Sequence, residues 1–418
     1  MGPCKCAAAR QLIETLLCRV ALEESPNPPL DVMTPGPAEI ESTRSRLREQ
    51  MPVTKKWAYF DHAAVAPLSA PAHQELQAWV EQATHEGDTV WLDWARRLQA
   101  TRTAAAELIG ADTDEIALVP NTTAGINLVA EGLDWRSGDN VVTLDDEFPS
   151  NLYPWMHLER LGVETRRVPT SLGHVDLDQL ANYCDDRTRV VSVSWVGYAN
   201  GCRRDVDRIA EIADRHGALF FLDAIQGLGV FPLDVSQTPV DCLAADGHKW
   251  LLSPEGAGIA YVSRECLTRL TPTSVGWNSV VHAADFGRIE LDLKPTAARY
   301  EGGSHNMAGF LALGASLRLI QELGVNNLAA SILDITDRIA EALTKFGGVV
   351  SSPRSAAASS GILSVELPSD DPNAVRRHCL EQGVVVACRA GRLRVSAHAY
   401  NNEADLAKLL DALRTARQ

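Results

Sequence analysis

The chain has 418 residues, too many for one ordinary core, so two domains are expected. Its composition, 45% hydrophobic and 22% charged, is that of a soluble globular protein. The formal charge of −15 argues against nucleic acid as the main partner, because phosphate binding needs clustered Lys and Arg. No apolar stretch reaches the roughly 18 residues of a membrane span, so no membrane role is expected. Arg10, Glu14 and Arg19 interrupt any signal-like apolar region. The nine cysteines are odd in number and scattered. They suggest no disulfide framework and point to a reducing, cytoplasmic setting. Cys4-Lys5-Cys6 stands without a second ligand pair, so no metal site is expected.

In chain order, residues 1–20 have the pattern of a short amphipathic helix, and 25–37 are proline-rich and irregular. Residues 1–45 are expected to form a poorly ordered extension. A short strand is predicted at Trp57-Ala58-Tyr59-Phe60, closed by the turn Asp61-His62-Ala63-Ala64-Val65-Ala66-Pro67. Helices over 72–86 and 91–110 lead to a strand at 116–119 and a helix from about 124. A strand at 140–144, a helix over 151–161, and strands at 163–168 and 189–194 follow. After a helix over 204–216 comes Ala218-Leu219-Phe220-Phe221-Leu222, continuously apolar as a strand buried on both faces must be. Strands near 241–245 and 258–262 complete an alternation that predicts an α/β sheet wound with crossover helices. Beyond Arg299, helices over 308–322 and 325–345 precede strands near 347–350, 361–366, 384–388 and 392–396. With further helices between them and over 402–416, this part reads as a smaller α+β domain. The loops 351–360 and 368–373 are expected to be exposed.

Polar residues gather where ligands bind in such sheets, beyond the carboxyl ends of the strands. Lys249 follows an apolar run and precedes Trp250, Leu251 and Leu252, a wall able to desolvate its amine. It reads either as a strand-end lysine or as a Schiff-base lysine. Asp223 ends the apolar strand; it is a helix cap or the partner of a protonated ring nitrogen. Thr122 and Thr123 open a helix, as its cap or as part of an anion site. Gly227-Leu228-Gly229 and Gly256-Ala257-Gly258 are not a dinucleotide fingerprint, and neither a Walker A sequence nor a serine nucleophile elbow is found.

Asp223-Ala224-Ile225-Gln226, Gly247-His248-Lys249, Thr122-Thr123-x-Gly125-Ile126-Asn127 and Arg299-Tyr300-Glu301-Gly302-Gly303-Ser304 together resemble the class V aminotransferase superfamily. These are fold-type I pyridoxal 5'-phosphate (PLP) enzymes, among them cysteine desulfurases, selenocysteine lyases, kynureninases and isopenicillin N epimerase. The resemblance runs from about residue 57 to 415. It implies a segment 46–71 packing on the small domain, a large PLP-binding domain 72–298 with a mostly parallel seven-stranded sheet, and a small α+β domain 299–418.

By position, the resemblance makes Lys249 the Schiff-base lysine and Cα proton shuttle, and Asp223 the partner of the pyridinium nitrogen. Gln226 would bond the phenolic oxygen; Thr122, Thr123 and His248 would hold the phosphate. Phe148 would stack on the ring, and Tyr198 would stand near the cofactor oxygen. Ser304 would reach the phosphate of a neighbouring subunit, which implies a homodimer with active sites at the subunit interface. Arg394 would clamp the substrate carboxylate, with Arg389 and His62 on the substrate side. Asp246 stands where desulfurases often have a phosphate-binding serine, and is expected to point elsewhere. Only Ala390-Gly391-Arg392 separates Arg389 from Arg394, where desulfurases carry a longer loop with a nucleophilic cysteine; Cys388 reads as a structural thiol. The expected function is that of a PLP enzyme acting at Cα, and possibly Cβ, of an amino acid, similar to isopenicillin N epimerase. The alternatives are a cysteine desulfurase or other C–S lyase, or a catalytically idle PLP-binding protein that works by interaction. A sugar aminotransferase would not need Arg394.

Overall fold

The structure is a computed structural model and describes residues 35–368 and 371–417. The helix expected over 1–20, most of the proline-rich stretch and Cys4-Lys5-Cys6 lie outside these residues.

The large sheet has seven strands. In spatial order they are Ile116–Val119, Gly258–Val262, Cys242–Asp246, Leu219–Asp223, Thr188–Ser194, Asn140–Leu144 and Glu164–Val168. Gly258–Val262 runs antiparallel to both neighbours, and the remaining pairings are parallel. Strand Leu219–Asp223 is buried along its whole length and Thr188–Ser194 everywhere but at Arg189, as the apolar runs Val190-Val191 and Leu219-Phe220-Phe221-Leu222 require. Helix Thr122–Gly132 lies on strand Cys242–Asp246 so closely that a Cβ on Gly125 would stand 2.4 Å from the Ala244 Cβ. The glycine therefore sets the height of the helix start above the strand ends.

A second, four-stranded antiparallel sheet joins Val349–Val350, Ile362–Glu366, Arg392–Ser396 and Ala387–Arg389. It has its own core, which includes Phe60, Ile335, Ile339, Leu363, Val365 and Leu409. The short strand Ala58–Tyr59 pairs in parallel with Val384–Val385 as a separate two-stranded sheet, and Asp61 then bridges Ser396 of the four-stranded sheet.

Three local expectations are corrected. The boundary at residue 45 falls inside a helix, Pro37–Glu49, that buries Thr43, Arg44 and Leu47. It is held by one apolar side chain in the core, Leu47, and by ion pairs of Arg44 with Asp334 at 2.6 Å and of Arg48 with Asp405 at 2.7 Å. A helix held this way shows no apolar period in the sequence. Residues 151–161 are not one helix but the single turn Tyr153–Met156 set between the 3₁₀ segments Pro149–Asn151 and His157–Leu161. The loop 351–360 is not fully exposed: Ser352, Ala358, Ser359 and Ser360 are buried, and the Arg203 guanidinium donates to the Ala357 carbonyl at 3.1 Å. The small hairpin Thr170–Ser171 with His174–Val175, and the helices Leu177–Tyr183 and Arg264–Arg269, were not foreseen.

Gly125→Ala tests the close contact of helix and strand. The added methyl overpacks Ala244 and should destabilise the protein by about 1–3 kcal/mol in urea unfolding. An unchanged midpoint would mean that the helix has slack over the sheet.

Candidate active site

Two strand ends and one helix start converge on a cavity of about 310 Å³. Asp223 ends its strand, Asp246 ends the next, and Thr122 and Thr123 begin the helix that follows Ile116–Val119. Lys249, His248, Gln226, Phe148, Tyr198, Arg389 and Arg394 also line this space. Eleven sequence positions spread over more than 270 residues thus meet around one small volume, because parallel strands present all their carboxyl ends on one edge.

Lys249 sits in a tight reversal. The Gly247 amide donates to Ala257 O, Ser253 N donates back to Gly247 O at 2.9 Å, and Leu252 adopts φ 56. A side chain at 247 would strike Ala257 O at 2.6 Å, so only glycine fits there. The Lys249 amine is buried, and its Nζ lies 5.6 Å from the centroid of the Phe148 ring. Burial pushes its pKa down; Asp223 pulls the other way, and the Arg394 charge adds to the fall. Asp223 is pushed up, first by its own burial and then by the nearby Glu147 charge. Its Oδ1 accepts the Ile225 amide at 3.1 Å, and a turn rather than a helix follows, so Asp223 caps no helix.

The cap question at the helix is decided by Asn121, whose Oδ1 accepts the Ala124 amide at 2.9 Å. The Thr122 Oγ1 accepts the Asp246 amide at 3.0 Å, which leaves its hydroxyl proton to donate. Asp246 does not point away, as expected, but lines the cavity. Its Oδ2 stands 2.9 Å from His248 Nδ1, and its Oδ1 is buried without a partner. Asp246 stands two residues beyond Ala244, whose side chain faces Gly125, so its own side chain is on the face toward the helix start. Gln226 is fixed at both ends of its amide: Nε2 donates to Ala63 O at 3.0 Å and Oε1 accepts Trp250 Nε1–H at 2.8 Å. Phe148 and Tyr198 meet edge to face at 5.2 Å.

Arg394 comes from the smaller sheet and is 2% exposed. One Nη donates to Tyr198 O at 2.9 Å, the other to Asp61 Oδ1 at 3.0 Å, and its Nε–H has no partner. Arg389 donates to the carbonyl of its neighbour Cys388 at 2.8 Å. Between the two arginines the chain turns on Ala390 and Gly391, with φ of 47° and 71°, and Arg389 pairs with Arg392. This is a two-residue hairpin, and none of the residues that line the cavity is a cysteine.

Two expected residues lie elsewhere. Ser304 is exposed, on a second cavity of about 530 Å³ that Glu301 and His305 help to line. His62 is fully buried behind the cavity, so its expected substrate-side position is wrong. Its Nδ1–H donates to Ser396 O at 3.2 Å, Tyr400 O–H donates to its Nε2 at 2.9 Å, and Trp250 and His398 pack on it. With both nitrogens used inside the protein, nothing remains for a ligand. Sequence reasoning missed Asp61, the partner of Arg394, and Glu147, a buried carboxylate near Asp223. Both stand beside quoted residues, but nothing in a single sequence says which member of a polar pair turns inward.

The residues present fit a PLP molecule. The desolvated Lys249 amine, the Asp223 carboxylate and the helix start with two threonine hydroxyls lie on one cavity, and the unpartnered Arg394 Nε–H offers an anion site beside them. Asp246 is the residue that fits least, and His248 stands against its charge.

Comparison with known proteins agrees. The family model for aminotransferase class-V matches residues 58–409. A protein of Methanothermobacter thermautotrophicus named "Probable cysteine desulfurase" is 30% identical over 391 residues, covering 88% of this chain and 96% of its own. An uncharacterized aminotransferase of Bacillus subtilis is 27% identical over 380 residues, covering 90% of this chain and 98% of its own. Among solved structures, a lysine-to-alanine mutant of C-DES, with glycine covalently linked to its PLP cofactor, superposes with a TM-score of 0.83. It is 25% identical and covers 88% of this chain and 98% of its own. A cysteine desulfurase from Thermococcus onnurineus shares the fold with a TM-score of 0.81 at 24% identity, covering 89% of this chain and 98% of its own. The chain belongs to the class-V aminotransferase family and is a PLP-dependent enzyme.

The buried histidines give a test of the wall behind the cavity. Burial lowers His62 well below the usual range and His398 to about 4. The unfolded chain takes up these protons near pH 6.5 and the folded chain does not, so each residue costs stability as pH falls below that value. In an NMR titration from pH 8 to 5, both rings should keep neutral-imidazole shifts while exposed histidines titrate. Titration of either ring near 6.5 would place it in contact with solvent.

Proposed function

We propose that this enzyme acts at the Cα of an amino-acid substrate, with Lys249 as the residue that holds PLP and moves the Cα proton. The observation that carries this reading is the Lys249 amine itself, buried on one cavity with Asp223 and Arg394. Bound PLP supplies an electron sink conjugated to the Cα. Desolvation keeps more of the Lys249 amine neutral, and so able to accept a proton, than an exposed lysine would allow. Asp223 takes the ring N–H, and Thr122, Thr123 and His248 take the phosphate. Phe148 offers a ring face, while Gln226 and Tyr198 flank the oxygen side. Arg394 holds the α-carboxylate, with its Nε–H and the Nη hydrogens not used by Tyr198 and Asp61. Arg389 stands beside it on the substrate side.

Relatives named for cysteine desulfurization favour cleavage of a C–S bond after the Cα proton is removed. The two-residue turn at Ala390-Gly391 favours release of sulfur without a protein thiol as acceptor. Epimerisation and transamination use the same proton removal and differ in where the proton returns.

A homodimer is supported by exposed apolar side chains near Ser304 in the chain: Phe286, Ile289 and Leu291 are each more than 70% exposed. Such a patch marks an interaction surface. A second copy seated there would bring Ser304 toward the neighbouring site. The six described cysteines are unpaired thiols, which supports a cytoplasmic setting.

Purified enzyme should be yellow, and Lys249→Ala should lose both its activity and the colour that depends on the lysine; retention of both would refute the assignment. Arg394→Ala should raise KM for α-carboxylate substrates at least about tenfold. An amino-acid panel scored for sulfide, pyruvate, keto acid and loss of optical activity identifies the branch; sulfide with pyruvate is the expected outcome for a β-thiol substrate.

A further inference from the structure

One buried charge takes no direct part in the reading above. Glu147 precedes Phe148, and its side chain is fully buried. Its Oε1 accepts Ser194 N–H at 2.7 Å, and its Oε2 accepts Asn151 Nδ2–H at 3.1 Å and the Ser194 hydroxyl. The Asn151 amide cannot be turned the other way, because its Oδ1 already accepts Ser192 Oγ–H at 2.7 Å and Trp155 Nε1–H at 3.1 Å. The Ser194 amide and Asn151 Nδ2 can only donate, and the Ser194 hydroxyl donates as well, the pattern of an ionised group; burial pushes the Glu147 carboxyl up, while Arg204 and these hydrogen bonds hold it down.

Its charge is not cancelled in place. The nearest cation, Arg204, stands 3.8 Å away and does not bond it. Arg204 instead donates to Ser194 O at 2.8 Å and to Asp146 at 2.7 Å. Two carboxylates thus share one guanidinium, and a net negative charge remains. Ser194, which holds Glu147, is also the residue paired with Asp223 across the parallel strands, roughly 4.8 Å apart, and Trp195 N–H donates to Asp223 O at 2.9 Å. The groups that face Asp223 are thus Glu147 and, behind it, Arg204 with Asp146 on one side, and Lys249 on the other.

We propose that Glu147 is a positioning residue for the cofactor ring, its fixed negative charge making Asp223 a stronger acceptor for the ring-nitrogen proton. This rests on the reading of Asp223 as the ring partner. A like charge held one strand away in a dry interior opposes ionisation of Asp223 alone, and is relieved when Asp223 shares a proton from the ring. The upward push on Asp223 by Glu147 agrees in sign. The alternative is mechanical: Glu147 merely anchors the loop that carries Phe148.

The two roles separate in cofactor binding. Apo wild type, Glu147→Gln and Glu147→Asp are titrated with PLP and with its 1-deaza analogue, which has carbon in place of the ring nitrogen. Glutamine keeps the length and loses the charge, whereas aspartate keeps the charge. Glu147→Gln should lower the preference for PLP over the analogue about tenfold, one pKa unit's worth, with affinity for the analogue within about twofold of wild type. Glu147→Asp should keep the preference within about threefold. An unchanged preference in Glu147→Gln, or a parallel loss for both ligands in the two variants, would overturn the proposal. If Glu147→Gln does not fold, Glu147→Asp decides alone, because collapse of its preference would show that charge is not the operative property. Failure of wild type to bind PLP would remove the reading of the site itself, and is seen separately from the ratio.

Discussion

The Lys249 amine and the Asp223 carboxyl group are buried on one cavity at the strand ends, and burial pushes each toward its neutral form. In such an interior a charge is tolerated only where partners are built in, and here the partners are sparse: one backbone amide for Asp223, and nearby charges of both signs for Lys249. That sparseness leaves both groups ready to engage a ligand. The backbone fixes both positions: parallel pairing with Ser194 and Ala244 holds Asp223, and the reversal closed by Gly247 N–H to Ala257 O and Ser253 N–H to Gly247 O holds Lys249.

The chain between Ala58 and Ala66 is the seam that joins this edge to the smaller sheet. Ala58 and Tyr59 pair with Val384 and Val385, and Asp61 bridges Ser396 and holds Arg394. Ala63 O accepts the Gln226 amide, and the Ala66 amide donates to His248 O at 2.7 Å. Trp250 closes the far side, bonded to Gln226 and stacked on His398. A displacement of this segment would be felt at once by Arg394, Gln226 and the turn that carries Lys249. His62 belongs to this seam, where its two bonded nitrogens serve cohesion and not recognition.

Charges set around the pair act by sign as well as by contact. Glu147, Arg204 and Asp146 lie behind Asp223; Arg394 and Arg389 lie in front of Lys249; Asp246 and His248 face each other at the helix start. The hairpin at Ala390-Gly391 keeps both arginines on one short ribbon, so this wall of the cavity is rich in guanidinium, and no cysteine lines the cavity.

Much of this was legible in the sequence. The strands at 116–119, 140–144 and 258–262 fall where apolar runs between turn residues place them, because a strand buried on both faces admits little else. Asp223, Lys249, Thr122 and Arg394 stand out because each is a polar residue at the end or in the middle of such a run, where burial would be costly without a purpose. The sequence could not say which way a side chain turns once the chain has folded. His62 and Asp61 are adjacent, yet only Asp61 meets Arg394, because the chain turns at 61–64 and sends the two side chains to different partners. The helix Pro37–Glu49 was invisible because it offers the core only Leu47, without an apolar stripe, and its ion pairs reach Asp334 and Asp405, almost 300 residues and more away. Asp246 turns inward because it stands two residues beyond Ala244, whose side chain faces Gly125 of the helix, and alternate residues of a strand share a face. Local pattern determined which residues are buried; the pairing of distant strands decided which of them meet.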